Sequence, residues 1–130
     1  MRLRRPIWRR STITDGPALC PVCGADEFIQ ERVLWDELVE DWGLTPEEAE
    51  LVDRQQGYRC VSCRSNLRSM TMAAAMVREM GGDLPFERFV RKSPAARRLR
   101  LLEVNEAGDL HRHLAQFRRY TFAQFPEIDL

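Results

Sequence analysis

Four cysteines carry the most definite chemistry in this 130-residue chain. They form two Cys-x-x-Cys pairs, Cys20-Pro21-Val22-Cys23 and Cys60-Val61-Ser62-Cys63, with thirty-six residues between the pairs. Each pair can make a tight turn that aims two thiolates at one ion. Together they supply a closed tetrahedral set for structural Zn2+. Three other uses of such cysteines compete with zinc. Two disulfides suit a small secreted domain, but no apolar signal segment precedes Cys20. A redox Cys-x-x-Cys needs one pair and leaves the other unexplained. An iron–sulfur site is the third. Cys20, Cys23, Cys60 and Cys63 are therefore the expected metal ligands, in a reducing, cytoplasmic setting.

The elements that position these thiols can be read from pattern and punctuation. Gly24 gives the permissive backbone just after the second ligand. Leu34, Trp35, Leu38 and Trp42 recur at helical spacing, so an amphipathic helix is predicted over 31–42, ended by Gly43. Thr45-Pro46-Glu47-Glu48 is a capping box with proline at the first helical position, and opens a second helix to about Gln56. These two helices make an insertion, 27–56, between the half-sites. A short strand from Tyr58 leads into the second pair. A third helix is predicted over 65–80, capped by Ser65 or Ser69, with Leu67, Met70, Ala74, Val77 and Met80 inside. Asp83 is placed to cap a helical piece 84–90, and Ser93-Pro94 to start another turn, with Phe86, Phe89 and Val90 inward.

Net charge is zero, but the charges are segregated. Residues 1–14 hold five arginines and no acid; residues 24–56 hold eleven acids and two arginines. Residues 57–100 hold ten basic residues and three acids. Arg2, Arg4, Arg5, Arg9 and Arg10, with Trp8 among them, form a basic arm, read first as a solvated terminus with Trp8 tucked onto the domain and second as a contact for nucleic-acid phosphates. The basic run Arg88, Arg91, Lys92, Arg97, Arg98 and Arg100 is read first as a solvated face pairing with the acidic insertion, and second as a phosphate-facing surface. No stretch reaches the roughly 20 apolar residues of a membrane span.

The C-terminal part reads as a buried strand 99–104, a turn 105–109, a helix 110–117 with Leu110, Leu114 and Phe117 inside, and a strand 120–125. That is one βαβ unit, right-handed and with parallel strands. His111 and His113, two apart, do not share a helix face and are read as surface or boundary residues.

The order of these pieces resembles class I S-adenosylmethionine-dependent methyltransferases that carry an N-terminal zinc ribbon. The residues that carry it are Cys20-Pro21-Val22-Cys23-Gly24, Cys60–Arg68 with its Ser-x-Leu-Arg helix start, Leu101-Leu102-Glu103-Val104-Asn105-Glu106-Ala107-Gly108-Asp109-Leu110, and Tyr120–Leu130. The resemblance implies an α+β fold. A four-cysteine zinc-ribbon or treble-clef-like domain with a two-helix insertion is followed by an incomplete Rossmann-like βαβ unit. It divides the chain into an arm (1–19), a zinc domain (20–82), a helical connector (83–98) and a partial methyltransferase-like segment (99–130). It implies that Glu103, Asn105, Gly108 and Asp129 approach S-adenosylmethionine. Such an enzyme needs roughly seven strands. The 130-residue chain is therefore expected to bind the cofactor only when its sheet is completed, and to have no methyl transfer of its own. The exposed βαβ edge is expected to pair with a protein partner or with a second copy. The alternative is a zinc-stabilised module that binds nucleic acid or protein.

Overall fold

The computed structural model describes residues 16–127. The basic arm, with Arg2, Arg4, Arg5, Arg9 and Arg10, and the C-terminal Asp129 lie outside the described residues. The fold is α+β, with two small sheets of two strands each among the described residues.

The first sheet brackets the insertion. Strand β1 (Phe28–Gln30) pairs antiparallel with β2 (Tyr58–Cys60), Phe28 opposite Cys60 and Gln30 opposite Tyr58. The Phe28 and Tyr58 rings stack at 5.3 Å. One further backbone bond, Glu31 N–H to Gly57 O at 2.9 Å, closes the neck beyond the strands. A Cβ on Gly57 would lie 1.9 Å from the Glu31 carbonyl oxygen, a backbone atom that cannot swing away. Gly57→Ala is therefore expected to cost about 2 kcal/mol, as overpacking does. A urea midpoint equal to the parent's would contradict this neck geometry.

Inside the insertion the predicted helix over 31–42 shrinks to α1 (Asp36–Asp41). The reason is Asp53, whose Oδ1 accepts from Val33 N (2.7 Å) and Leu34 N (2.8 Å) and holds those residues out of helical conformation. Trp35 becomes an extended N-terminal flank of α1. Only Leu34 of the expected stripe is buried; Trp35 and Trp42 are 58% and 60% exposed. Helix α2 (Pro46–Gly57) starts as predicted. Thr45 Oγ1 accepts from Glu48 N (3.2 Å), and Glu48 Oε2 accepts from Thr45 N (2.9 Å).

Helix α3 (Leu67–Glu79) is capped by Asn66, whose Oδ1 accepts from Ser69 N at 2.9 Å, and not by Ser65 or Ser69. Ser65 is spent in the second cysteine turn, where its carbonyl accepts from Cys60 N. The buried residues of α3 are Ser69, Met70, Ala73 and Val77, a stripe turned slightly from the expected one. Helix α4 (Phe86–Lys92) starts after Pro85, later than an Asp83 cap implies. Its first N–H groups, on Phe86 and Glu87, go to the carbonyls of Pro21 and Val22 at 2.8 and 3.0 Å. The free donors of a helix N-terminus are thus satisfied by the first cysteine turn. Helix α5 (Pro94–Arg98) follows, capped by Ser93 through Ala95 N.

Strand β3 (Arg100–Val104), a 3-10 turn (Gly108–Leu110), helix α6 (His111–Leu114) and strand β4 (Arg119–Ala123) complete the chain. The two strands pair in parallel, Arg100 opposite Arg119 and Val104 opposite Ala123. Leu110, Leu114 and Phe117 are buried as predicted. β3 itself is not the buried strand that its apolar run suggested. Only Glu103 is buried, while Leu102 and Val104 are 55% and 44% exposed. Helices normally cover both faces of a parallel sheet. Here Leu102 and Val104, with their partners Thr121 and Ala123, lie on the face turned to solvent. A single core cluster joins three of the cysteines to Met70 and Val77 of α3, Phe86 and Phe89 of α4, and Leu110, Leu114 and Phe117.

Candidate metal centre

The two cysteine turns have the same construction. In the first, Cys20 N donates to Ala25 O (2.7 Å) and Gly24 N to Cys20 O (2.7 Å). In the second, Cys60 N donates to Ser65 O (3.0 Å) and Arg64 N to Cys60 O (2.9 Å). Both need a left-handed residue just after the second cysteine. Gly24 takes φ 85° without penalty, whereas Arg64 takes φ 65° at a steric cost on the order of 1 kcal/mol.

These turns bring four sulfurs together. All four Sγ atoms lie within 4.8 Å of one another. Cys20 Sγ is 3.6 Å from Cys63 Sγ, and Cys23 Sγ is 3.6 Å from Cys60 Sγ. Zinc–sulfur bonds of about 2.3 Å in a tetrahedron put the sulfurs about 3.8 Å apart. The cluster has that scale, and it is far from the roughly 2.05 Å of a disulfide. The four cysteines are free thiols, three of them buried.

The surroundings set the thiols apart, favouring thiolate at Cys63 and the protonated form at Cys20 and Cys23. The Cys63 thiol is pushed down to about 4, chiefly by its hydrogen bond with Cys20 and also by contacts with Ser65. That bond and burial push Cys20 well up, and burial pushes Cys23 up to about 11. A cation held by all four sulfurs would deprotonate them outright. Ser65 is fully buried beside Cys63, and its hydroxyl has no hydrogen-bond partner among the described residues. Backbone N–H groups of Val22 and Cys23 also face Cys20, and that of Ala25 faces Cys23. The donor set, its spacing and these supporting groups fit a tetrahedral metal ion.

Side chains from the C-terminal unit reach this centre. Arg112 of α6 donates to the Cys63 carbonyl. Asp109 Oδ2 accepts from Arg59 (3.3 Å) and from Asn66 N (3.4 Å). Arg59 and Arg64, which flank the second pair in sequence, also pair with Glu31 at 3.6 and 3.5 Å. Ser65, Asp109 and Arg112 are contributions that motif reading missed. Asp109 and Arg112 depend on contacts across as many as 50 residues of sequence, for which spacing carries no signal.

The residues that the resemblance placed at a cofactor are arranged as follows. Glu103 is 5% exposed and its carboxylate is fully engaged. Oε1 accepts from Ala107 N (2.7 Å); Oε2 accepts from the Tyr120 hydroxyl (2.6 Å) and lies 2.9 Å from His111 Nδ1. Burial pushes the Glu103 carboxyl up, but these hydrogen bonds outweigh it and leave a net lowering. Burial and the adjacent carboxylate push Tyr120 up to about 12, so it stays a donor. Asn105, with φ 57°, accepts from Phe125 N at 2.8 Å and ties the ends of the two strands together. Gly108 faces open space. His111 is half-buried against Glu103 and the Phe122 ring, and His113 is buried beside Phe86. Neither is a plain surface residue, and burial holds His113 below the usual imidazole range.

Among the described residues, no ion pair joins the basic run to the acidic insertion; the insertion's ion pairs involve Arg32, Arg54, Arg59 and Arg64. No helix of the described residues is long and apolar enough to cross a membrane. No family model, curated protein or solved structure matches this chain.

Proposed function

We propose that the four cysteines hold one structural zinc ion, and that the zinc unit is the platform for a Rossmann-like βαβ segment of the S-adenosylmethionine-dependent methyltransferase kind. The observation that carries this is the convergence of two like-built turns on one sulfur cluster. Four protein ligands fill a tetrahedral ion and leave no position for water or substrate, so the metal supplies fold stability and not chemistry. The second half of the proposal rests on the loop 105–108. It follows the carboxyl end of a strand in a parallel pair, where nucleotide ligands sit in open α/β sheets. Gly108 there has room for a ligand. Glu103 serves as the internal anchor of that loop, and Asn105 fixes its start. A two-stranded sheet offers only one wall of such a site, so the chain reads as a non-catalytic part that needs a partner or further strands.

Elemental analysis of protein purified without added metal is expected to give one zinc per chain. Iron in its place, or no metal together with a full fold, overturns the metal assignment. Calorimetry with S-adenosylmethionine is expected to show little heat. Tight binding by the monomer overturns the claim that the site is incomplete.

A further inference from the structure

Parallel pairing builds a cluster that is dispersed in the sequence. Arg97, Arg98 and Arg100 arrive at the start of β3; Arg118 and Arg119 arrive at the start of β4. All five are exposed, and no carboxylate among the described residues pairs with any of them. The register places Arg100 directly opposite Arg119. Like charges set opposite each other across strands are destabilising. A fold that keeps two of them there without a counter-charge leaves room for an external anion. Both also line an open hollow of about 540 Å³, together with Leu101, Leu102, Tyr120 and Thr121.

We infer that this amino-terminal rim of the parallel pair binds the phosphodiester backbone of a nucleic acid. Guanidinium groups donate in a planar fork that matches phosphate oxygens. The hollow is open and its arginines are exposed to solvent, which suits a line of phosphates more than one enclosed anion. Affinity from several exposed arginines comes largely from counterion release, which one small anion does not supply. The surface stands at the opposite end of the strands from the loop 105–108, so it does not depend on the cofactor reading. It also does not depend on the arm at 1–14.

The test is fluorescence anisotropy of the full chain with a short mixed-sequence single-stranded RNA, over a range of salt. Arg100→Ser/Arg119→Ser should weaken binding about tenfold at low salt and reduce the log–log salt slope by about 1.4, the share of two phosphates. Arg100→Lys/Arg119→Lys should keep most of the slope. Arg68→Ser/Arg88→Ser removes the same charge from exposed positions elsewhere and should leave affinity within about twofold. Circular dichroism on each variant shows that the fold persists. Undiminished binding by the Arg100/Arg119 serine variant overturns the inference, as does an equal loss in the Arg68/Arg88 pair. So does saturation by inorganic phosphate with exclusion of RNA, which would mark a small-anion site. Absence of RNA binding at low salt does the same.

Discussion

Cys60→Ser is expected to leave the chain largely unfolded, not merely short of its metal. Structural zinc in small domains is worth on the order of 10–16 kcal/mol, whereas a whole domain's stability is about 5–15 kcal/mol. Cys60 is fully buried, sits on β2, and belongs to the same core cluster as Phe86 and Leu110. Losing its thiolate therefore weakens the staple and the core at once. Far-ultraviolet circular dichroism and amide dispersion by NMR read the outcome, and a strong chelator should reproduce it in the parent. A well-folded, zinc-free Cys60→Ser protein would show that the cysteines are not the organising element.

Glu103→Leu is expected to be the most damaging change outside the cysteines, at about 3 kcal/mol. It leaves Ala107 N–H, the Tyr120 hydroxyl and His111 without their acceptor, and each buried group left unmet costs about 1 kcal/mol or more. Glu103→Gln keeps the shape and one carbonyl acceptor, so its cost should be smaller. The pH dependence has a definite sign. The folded carboxyl titrates below its ordinary value of 4.5. Its stabilising contribution is thus fully present above that value and is lost as pH falls through the lower folded one. Urea titrations between pH 3 and pH 6 should show a shallower acid decline in Glu103→Gln than in the parent. An unchanged acid limb, or Leu and Gln variants of equal stability, would remove Glu103 from its anchoring role.

Local chemistry made much of this molecule legible in advance. The Cys-x-x-Cys pairs located the sulfur cluster, because each turn is built within six residues. Thr45-Pro46 and Ser93-Pro94 announced helix starts for the same reason: a cap is satisfied by its own first turn. The β3–α6–β4 order and its parallel pairing followed from pattern. The failures have a common cause in partners distant in sequence. Asp53, nineteen residues from Leu34, overrules helical periodicity in 31–35 and leaves Trp35 and Trp42 outside. Strand β1 is three residues long and exists because β2 pairs with it, so no window of sequence marks it. β3 looked buried because Leu101, Leu102 and Val104 are apolar. Whether a second layer covers the sheet is not a property of the strand itself. The hydrogen bonds of Glu103 were equally hidden: its partners Ala107, His111 and Tyr120 meet only when the loop closes, so no window of sequence marks them.

The neck formed by β1, β2 and the Glu31–Gly57 bond has a consequence for how this protein can vary. From Arg32 to Gln56 the chain leaves and returns through one closed pair of backbone positions, and α2 also packs against α3, where Asn66 donates to Gln56 at 3.1 Å. The length of the lobe's outer part, α1 and the turn before α2, is thus uncoupled from the distance between the two cysteine turns. Insertions or deletions there change the entropy of closing the loop only logarithmically. That outer part is a natural graft point, where a lineage can exchange one surface for another, acidic α1 included, while α2, the sulfur cluster and the sheet beside it stay as they are.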